Sequence, residues 1–379
     1  SNEFEVPVMI RMTTRVCHSK SLVEEGGRQE IPPVLYEKHP ERNDAIPAVS
    51  KVRRYVVEER EEKLKAYSNN CPWNYAEIND AEIGIVAAGA AYMYAKEVFG
   101  NTASYFKVGL SYPMPIEKIR EFRAAVSEMY VIEELDPYME EIIRSAGIDC
   151  HGKDRIPKID ELNPNIIAKA LSDKENAYTD IPEDLLVPRP PTFCAGCPHR
   201  GFFYTLGKRR DTVMIGDIGC YALGGAEPLN AIDLAVCMGS AFSVGHGMFH
   251  AFEKSSQNKR IVSIMGDSTF FHTGINSLIE VAYNGSATIN VILDNRITGM
   301  TGHQENPGTG YTIKGDTTTF IDIEQVVRAL GLKNVRTVNP LDLQAMNAAL
   351  DWAYSITDTP SVIIAKWPCV LKKFTKEDL

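Results

Sequence analysis

The chain has 379 residues, 40 Lys and Arg against 50 Asp and Glu, a formal net charge of −10 and 44% hydrophobic residues. At about 150 residues per domain this is two or three domains. The balance excludes a globally disordered chain, and the acidic charge argues against a nucleic-acid or anionic-membrane surface. No run of 18 apolar residues is present, so no bilayer span is expected.

Ser1-Asn2-Glu3-Phe4 is neither a signal peptide nor a start, and reads as an expression scar or an internal cut. Eight cysteines are too sparse for a disulfide scaffold. The compartment is expected to be reducing, the cytoplasm, where such thiols bind metal, do redox work or sit in a core. Along the chain, residues 5–16 alternate apolar with polar and read as a strand with nothing before it to pair with. Residues 1–20 are therefore taken as the remnant of an upstream domain. The proline-bearing stretch 21–50 is a linker. A charged helix is predicted from Val52 to Tyr67, its Glu-, Lys- and Arg-rich run forming a solvated face.

An α/β rhythm follows. Residues 82–89, 105–110 and 129–134 read as strands, and 90–99 and 115–127 as helices, which implies βαβ units and a parallel sheet over a domain at 51–155. A second linker, 156–191, carries one short helix near Asn165 to Ser172. A Gly-rich α/β domain spans 192–370, and 371–379 is a C-terminal tail.

Within that last domain, Arg260 to Gly266 is a buried strand running into Gly266-Asp267-Ser268, a helix is predicted from about Thr273 to Tyr283, and a strand over 287–293 ends at Asp294-Asn295. A carboxylate and an amide thus stand at the carboxyl ends of neighbouring strands, the edge where open α/β sheets bind ligands. Asp267 and the Asn295 oxygen are hard donors suited to Mg²⁺. The helix start after Ser268 offers N–H groups to a phosphate. Alone, Gly-Asp-Ser could be a plain strand-to-helix turn; the partner Asp-Asn 28 residues beyond Asp267 favours the binding reading.

Gly266-Asp267-Ser268 with Asp294-Asn295 resembles the thiamine-diphosphate motif, usually Gly-Asp-Gly followed by Asn-Asn. That resemblance implies that Asp267, the Asn295 side chain and the Ile297 main-chain carbonyl ligate Mg²⁺. It departs at Ser268 and Asp294, neither a proposed ligand. Cys194-Ala195-Gly196-Cys197-Pro198-His199-Arg200-Gly201, Gly216-Asp217-Ile218-Gly219-Cys220-Tyr221, Cys237-Met238-Gly239-Ser240, Phe270-Phe271-His272-Thr273-Gly274 and Met300-Thr301-Gly302-His303-Gln304 are similar to the 2-oxoacid:ferredoxin oxidoreductases, most nearly to the large subunit of the indolepyruvate type.

The resemblance implies an α/β protein of two parallel-sheet domains, one like the transketolase C-terminal domain and one binding the diphosphate of thiamine diphosphate. It also implies cofactor contacts from Gly266, Asp267, Ser268, Thr269, Asn295, Ile297, Thr298, Gly299, Gly239, Ser240 and His199; no catalytic residue is singled out. The parent activity would be oxidative decarboxylation of arylpyruvates such as indolepyruvate with coenzyme A, giving an aryl-acetyl-CoA and CO₂ and reducing ferredoxin. A small (beta) subunit and an oligomeric assembly are implied, and this chain would be inactive alone.

Cys194 and Cys197 form a CxxC, and Cys220 and Cys369 each follow a predicted strand. Four thiolates suit a [4Fe–4S] cluster or structural zinc, and free thiols stay open as a third reading. In related enzymes a cluster near the cofactor is held by cysteines in this order. Cys237 has core context and reads as a buried small hydrophobe; Cys17, Cys71 and Cys150 have no partners at useful spacing. His272 and His303, like His199, sit in motif loops where cofactor or substrate contact is open. His246 and His250 lack the Glu of an HExxH pattern and are expected to pack. The loop 296–311 suits a segment closing over a phosphate. Two other functions stay open: a non-redox thiamine-diphosphate decarboxylase, and a non-catalytic metal or electron-transfer module.

Overall fold

Most strands of this chain are apolar at consecutive positions, so they need cover on both faces, and helices supply it. The computed structural model describes residues 1–33, 35–80, 82–172, 181–255 and 257–373, and the chain divides into two units, residues 1–182 and 183–379.

The first unit holds β1 (Tyr75–Glu77), β2 (Ile83–Ala88), β3 (Ser104–Val108) and β4 (Glu128–Ile132) in the order β1-β3-β2-β4, with β1 antiparallel to β3 and the rest parallel. Side chains alternate across the sheet. Val86, Phe106, Met129 and Val131 pack with Ile119 and Phe122 of helix Ile116–Ala124 and Met139 and Ile143 of helix Tyr138–Ser145. Ile85, Ala87, Tyr105 and Ile132 pack on the other face with helix Gly89–Phe99 and Ile167 of Pro164–Ser172.

The expected strand at 5–16 does not form. The segment is irregular up to a short helix, Thr14–His18, and it is mostly exposed. A lone extended segment cannot satisfy its backbone without a neighbour. The charged helix runs over Pro47–Asn70, with Pro47 at its start, so it extends beyond the predicted Val52–Tyr67 at both ends. Helix Tyr138–Ser145 lies where no element is predicted. It is capped from a distance by Glu133, which accepts from the N–H of Met139 (2.8 Å) and Glu140 (3.0 Å). Of the predicted second linker and C-terminal tail, residues 173–180 and 374–379 lie outside the described residues.

The second unit is a five-stranded, wholly parallel sheet. Its strands β5 (Thr212–Ile215), β6 (Arg260–Gly266), β7 (Ile289–Asp294), β8 (Asn334–Val338) and β9 (Ser361–Lys366) lie in the order β5-β6-β7-β9-β8. Val262, Ile264, Val291, Leu293 and Ile363 face Phe202, Phe203 and Leu206 of helix His199–Leu206 and Met346 and Leu350 of helix Leu343–Ser355. Ile261, Met265, Ile292, Val362 and Ile364 face Phe242 of helix Ala241–Ser255, Leu278 of helix Ile275–Asn284, and Ile323 and Val327 of helix Ile323–Ala329. Ile264 is fully buried midway along β6. Ile264→Ala should cost about 2–5 kcal/mol, read as a lower urea midpoint at unchanged slope. Among the described residues no helix is long and apolar enough to cross a membrane.

Candidate functional site

The site is built at the carboxyl edge of the second sheet. Gly266 pairs with Leu293 across β6 and β7, which brings Asp267 level with Asp294 and places Asn295 one step beyond. Gly266 has no room for a side chain: a Cβ there would stand 2.6 Å from the Tyr221 ring. The helix predicted from Thr273 in fact begins at once after Gly266, as a turn at Asp267–Thr269, a π-helical turn at Phe270–Gly274 and then Ile275–Asn284. Asp267 starts it, with Oδ1 accepting from the Ser268 N–H at 2.6 Å.

Asp267 is only 3% exposed, and its Oδ2 has no hydrogen-bond partner. Burial, and then the negative charge of neighbouring Asp294, push its pKa up to about 8. Asp294 is also buried and is raised by burial, against the charges of Arg296 and Lys366. Hydrogen bonding from Ser268, Asn306 and Arg296 lowers Asp267 only in part, and Arg296 and Lys366 act on Asp294, so burial still leaves the pair favouring an added cation. Asp267, the Asn295 amide oxygen and the Ile297 carbonyl offer a hard-oxygen set that could hold a divalent cation. Arg296, at φ 60°, is buried with its guanidinium 4.8 Å from the centre of the Phe320 ring.

Neighbouring loops lock onto this edge. Ser268 and Thr298 share a hydroxyl hydrogen bond of 2.6 Å, and the Thr298 N–H donates to the Gln304 carbonyl. Gly299 lies near the Asn295 amide, 4.0 Å from Nδ2 to the position of an added Cβ. Thr269 and the Tyr221 hydroxyl are 3.1 Å apart, and Tyr221 donates to the Ile218 carbonyl. Gly239, at φ 91°, abuts the Thr273 hydroxyl so closely that no side chain fits. Ser240 stays local, donating to the Cys237 carbonyl.

One further residue organises this edge. Asp217 is fully buried and accepts from the N–H groups of Gly239 (2.9 Å), Ala241 (3.1 Å) and Ile218 (2.7 Å). Its signal was present in the chain, since Gly216-Asp217 follows β5 as Gly266-Asp267 ends β6. Cys237 is exposed, contrary to expectation, as are Val236 and Met238. Asp217 draws residues 239–241 inward, and the preceding three are left outside.

The four cysteines gather near the same edge. Cys194 is exposed; Cys197, Cys220 and Cys369 are half-buried. The Cys369 N–H donates to the Asn295 carbonyl at 2.9 Å, and Cys220 Sγ stands 3.6 Å from the position of a Cβ on Gly299. Burial pushes the Cys197 thiol up to about 11, opposed by the N–H of His199 and reinforced by Cys369, Cys194 and Cys220. Burial also raises Cys220, with Cys369 and Cys194 adding to it. Among the described residues, no three His, Cys, Asp or Glu side chains stand close enough together to hold one metal ion.

His199 is buried, which lowers its pKa to about 4, and its Nε2 lies 3.4 Å from Asn295 Nδ2. His272 and His303 are exposed. His246 and His250 both meet the Ser286 hydroxyl, at 2.6 and 3.4 Å, their rings stand edge to face at 4.8 Å, and His250 also pairs with Glu253 at 3.0 Å. The loop after Asn295 buries Asn306 and Thr309.

Residues 217–365 match the family model described as the C-terminal TPP-binding domain of thiamine pyrophosphate enzymes. The chain is 36% identical to the indolepyruvate oxidoreductase subunit IorA of Methanothermobacter thermautotrophicus and 35% identical to the subunit of that name from Archaeoglobus fulgidus. Those alignments take in 98% of this chain but 63% and 62% of the relatives, so the chain spans under two thirds of their length. A solved 2-oxoglutarate:ferredoxin oxidoreductase from Magnetococcus marinus aligns over 52% of this chain and 70% of its own, at 20% identity and a TM-score of 0.43, too loosely to compare residues.

Proposed function

We propose that the chain, similar along nearly all its length to the indolepyruvate oxidoreductase IorA subunits, belongs with them and supplies the thiamine-diphosphate-binding half of a 2-oxoacid:ferredoxin oxidoreductase. The observation that carries this reading is the buried, unpartnered oxygen of Asp267 set against a second buried carboxylate at the ligand-binding edge of a parallel sheet.

On this reading Asp267, the Asn295 side chain and the Ile297 carbonyl would hold Mg²⁺, which would supply the positive charge that a diphosphate needs at this edge. Ser268, Thr269, Thr298, Gly299, Gly239 and Ser240 would line the anchored end, and the missing side chains of Gly266 and Gly239 let Tyr221 and Thr273 pack close to the backbone there. When bound, thiamine diphosphate supplies the nucleophilic carbon and electron sink that decarboxylation of a 2-oxoacid requires. The chain's own part is to grip the diphosphate, to hold Asn295 and Asp267 in place, and to exclude water from their buried faces. Cys194, Cys197, Cys220 and Cys369 would hold a [4Fe–4S] cluster as first electron acceptor; the support is that Cys369 and Cys220 stand beside Asn295 and Gly299 and that Cys197 feels the charges of the other three.

The substrates of the whole enzyme would be an arylpyruvate such as indolepyruvate and coenzyme A, with a small subunit and ferredoxin as partners in a cytoplasmic oligomer. The 379-residue chain alone is expected to bind cofactor without turning over indolepyruvate. Calorimetric titration with thiamine diphosphate should give saturable binding with Mg²⁺ and none with EDTA, and anaerobic preparations should contain iron and sulfide. No binding under either condition would overturn the reading. Binding without iron would leave the non-redox decarboxylase as the better account.

A further inference from the structure

His199 opens helix His199–Leu206 at the point where the cysteine segment meets the Asp294-Asn295 loop. Its ring is held edge-on to Phe193 and Tyr221, at centroid distances of 6.1 and 6.2 Å. The segment before it closes on itself: the Cys197 N–H donates to the Cys194 carbonyl at 3.1 Å, and Arg200 Nε donates to the same carbonyl at 2.9 Å. A ring so enclosed has little freedom to turn away.

Its Nε2 faces Asn295 Nδ2 at 3.4 Å. A carboxamide nitrogen can only donate, so the ring nitrogen must accept and the imidazole proton must sit on Nδ1. The amide oxygen then lies on the opposite side, where it accepts from the Ile297 N–H at 3.3 Å. If the amide turned over, its NH₂ would take that place and meet a cation with the wrong end of its dipole.

We infer that His199 is a positioning residue: by accepting from Asn295 Nδ2 it selects the amide orientation that presents Oδ1 to the metal. It acts through Asn295 and does not itself touch the reacting atoms. The inference rests on the reading of Asn295 as a magnesium ligand.

Two measurements on the full chain test it. Long-range ¹H–¹⁵N correlation spectra of the imidazoles, taken without metal or cofactor, should show His199 as the Nδ1–H tautomer. In calorimetry with thiamine diphosphate present, H199F should weaken Mg²⁺ about tenfold or more, and H199Q, which keeps an acceptor, should stay within about threefold of wild type. In an N295D background, where both side-chain oxygens are alike, adding H199F should cost nothing further; a merely structural histidine would cost the same in either background. An Nε2–H tautomer, or unchanged Mg²⁺ affinity in H199F, overturns the inference. A wild-type chain that binds no cofactor overturns the reading beneath it, while the tautomer still reports on the His199–Asn295 contact.

Discussion

Asp267→Asn should abolish Mg²⁺-dependent thiamine diphosphate binding while making the cofactor-free chain more stable near neutral pH. The first effect follows from removing the only negative charge among the proposed metal ligands. Loss of one member of a buried ionic contact costs about 3–5 kcal/mol, which is about 100-fold or more in affinity. The second follows from the cost that Asp267 carries without a cation, buried beside Asp294 with Oδ2 unpartnered.

An ordinary Asp ionises near 3.8, and in the fold this carboxyl is pushed up to about 8. Below the lower value both states hold the proton, and the group is neutral to stability. Between the two, the unfolded chain gives up a proton that the native chain keeps, so native stability falls as pH rises through this window. Asn cannot ionise, so D267N should be flatter over the same range. Melting temperatures of the apo proteins between pH 4 and 8 should diverge, with the variant ahead at the upper end. Metal binding needs the ionised carboxylate, so wild-type Mg²⁺ affinity should climb with pH through the same window and release protons. Cofactor binding by D267N within a few-fold of wild type would sink the assignment.

Asp217→Ala should be the most destabilising single change at this edge that touches no proposed metal ligand. The carboxylate is fully buried and serves the N–H groups of Ile218, Gly239 and Ala241. Alanine leaves those donors without an acceptor, and each buried unsatisfied group costs about 1–3 kcal/mol. We expect a loss of about 3–5 kcal/mol by urea unfolding, with weaker cofactor binding as residues 239–241 release their hold. Asp217→Asn keeps an acceptor oxygen and should lose about 1–2 kcal/mol. A loss below about 0.5 kcal/mol for the alanine variant, typical of an ordinary surface change, would show that the loop is held by something else.

What was legible in the chain itself was periodic or short-range. Strands apolar on both faces and spaced by helices determine a parallel α/β class, because only helices above and below can cover them. The same logic put Asp267 and Asn295 at one edge, since parallel strands all end on the same side of their sheet. The strand at 5–16 misled because alternation says which face a strand would bury and is silent about whether a neighbour exists to pair with it.

The tertiary structure alone decided which side chains meet. The β6–β7 register sets Asp267 against Asp294, a charge conflict that no spacing displays. Closure of the loops brings His199 to Asn295, hangs residues 239–241 from Asp217, turns Cys237 outward and gathers Cys194, Cys197, Cys220 and Cys369. Periodicity is a property of a few adjacent residues. These meetings join segments tens to well over a hundred positions apart, and the packing that closes such loops is a property of the whole unit.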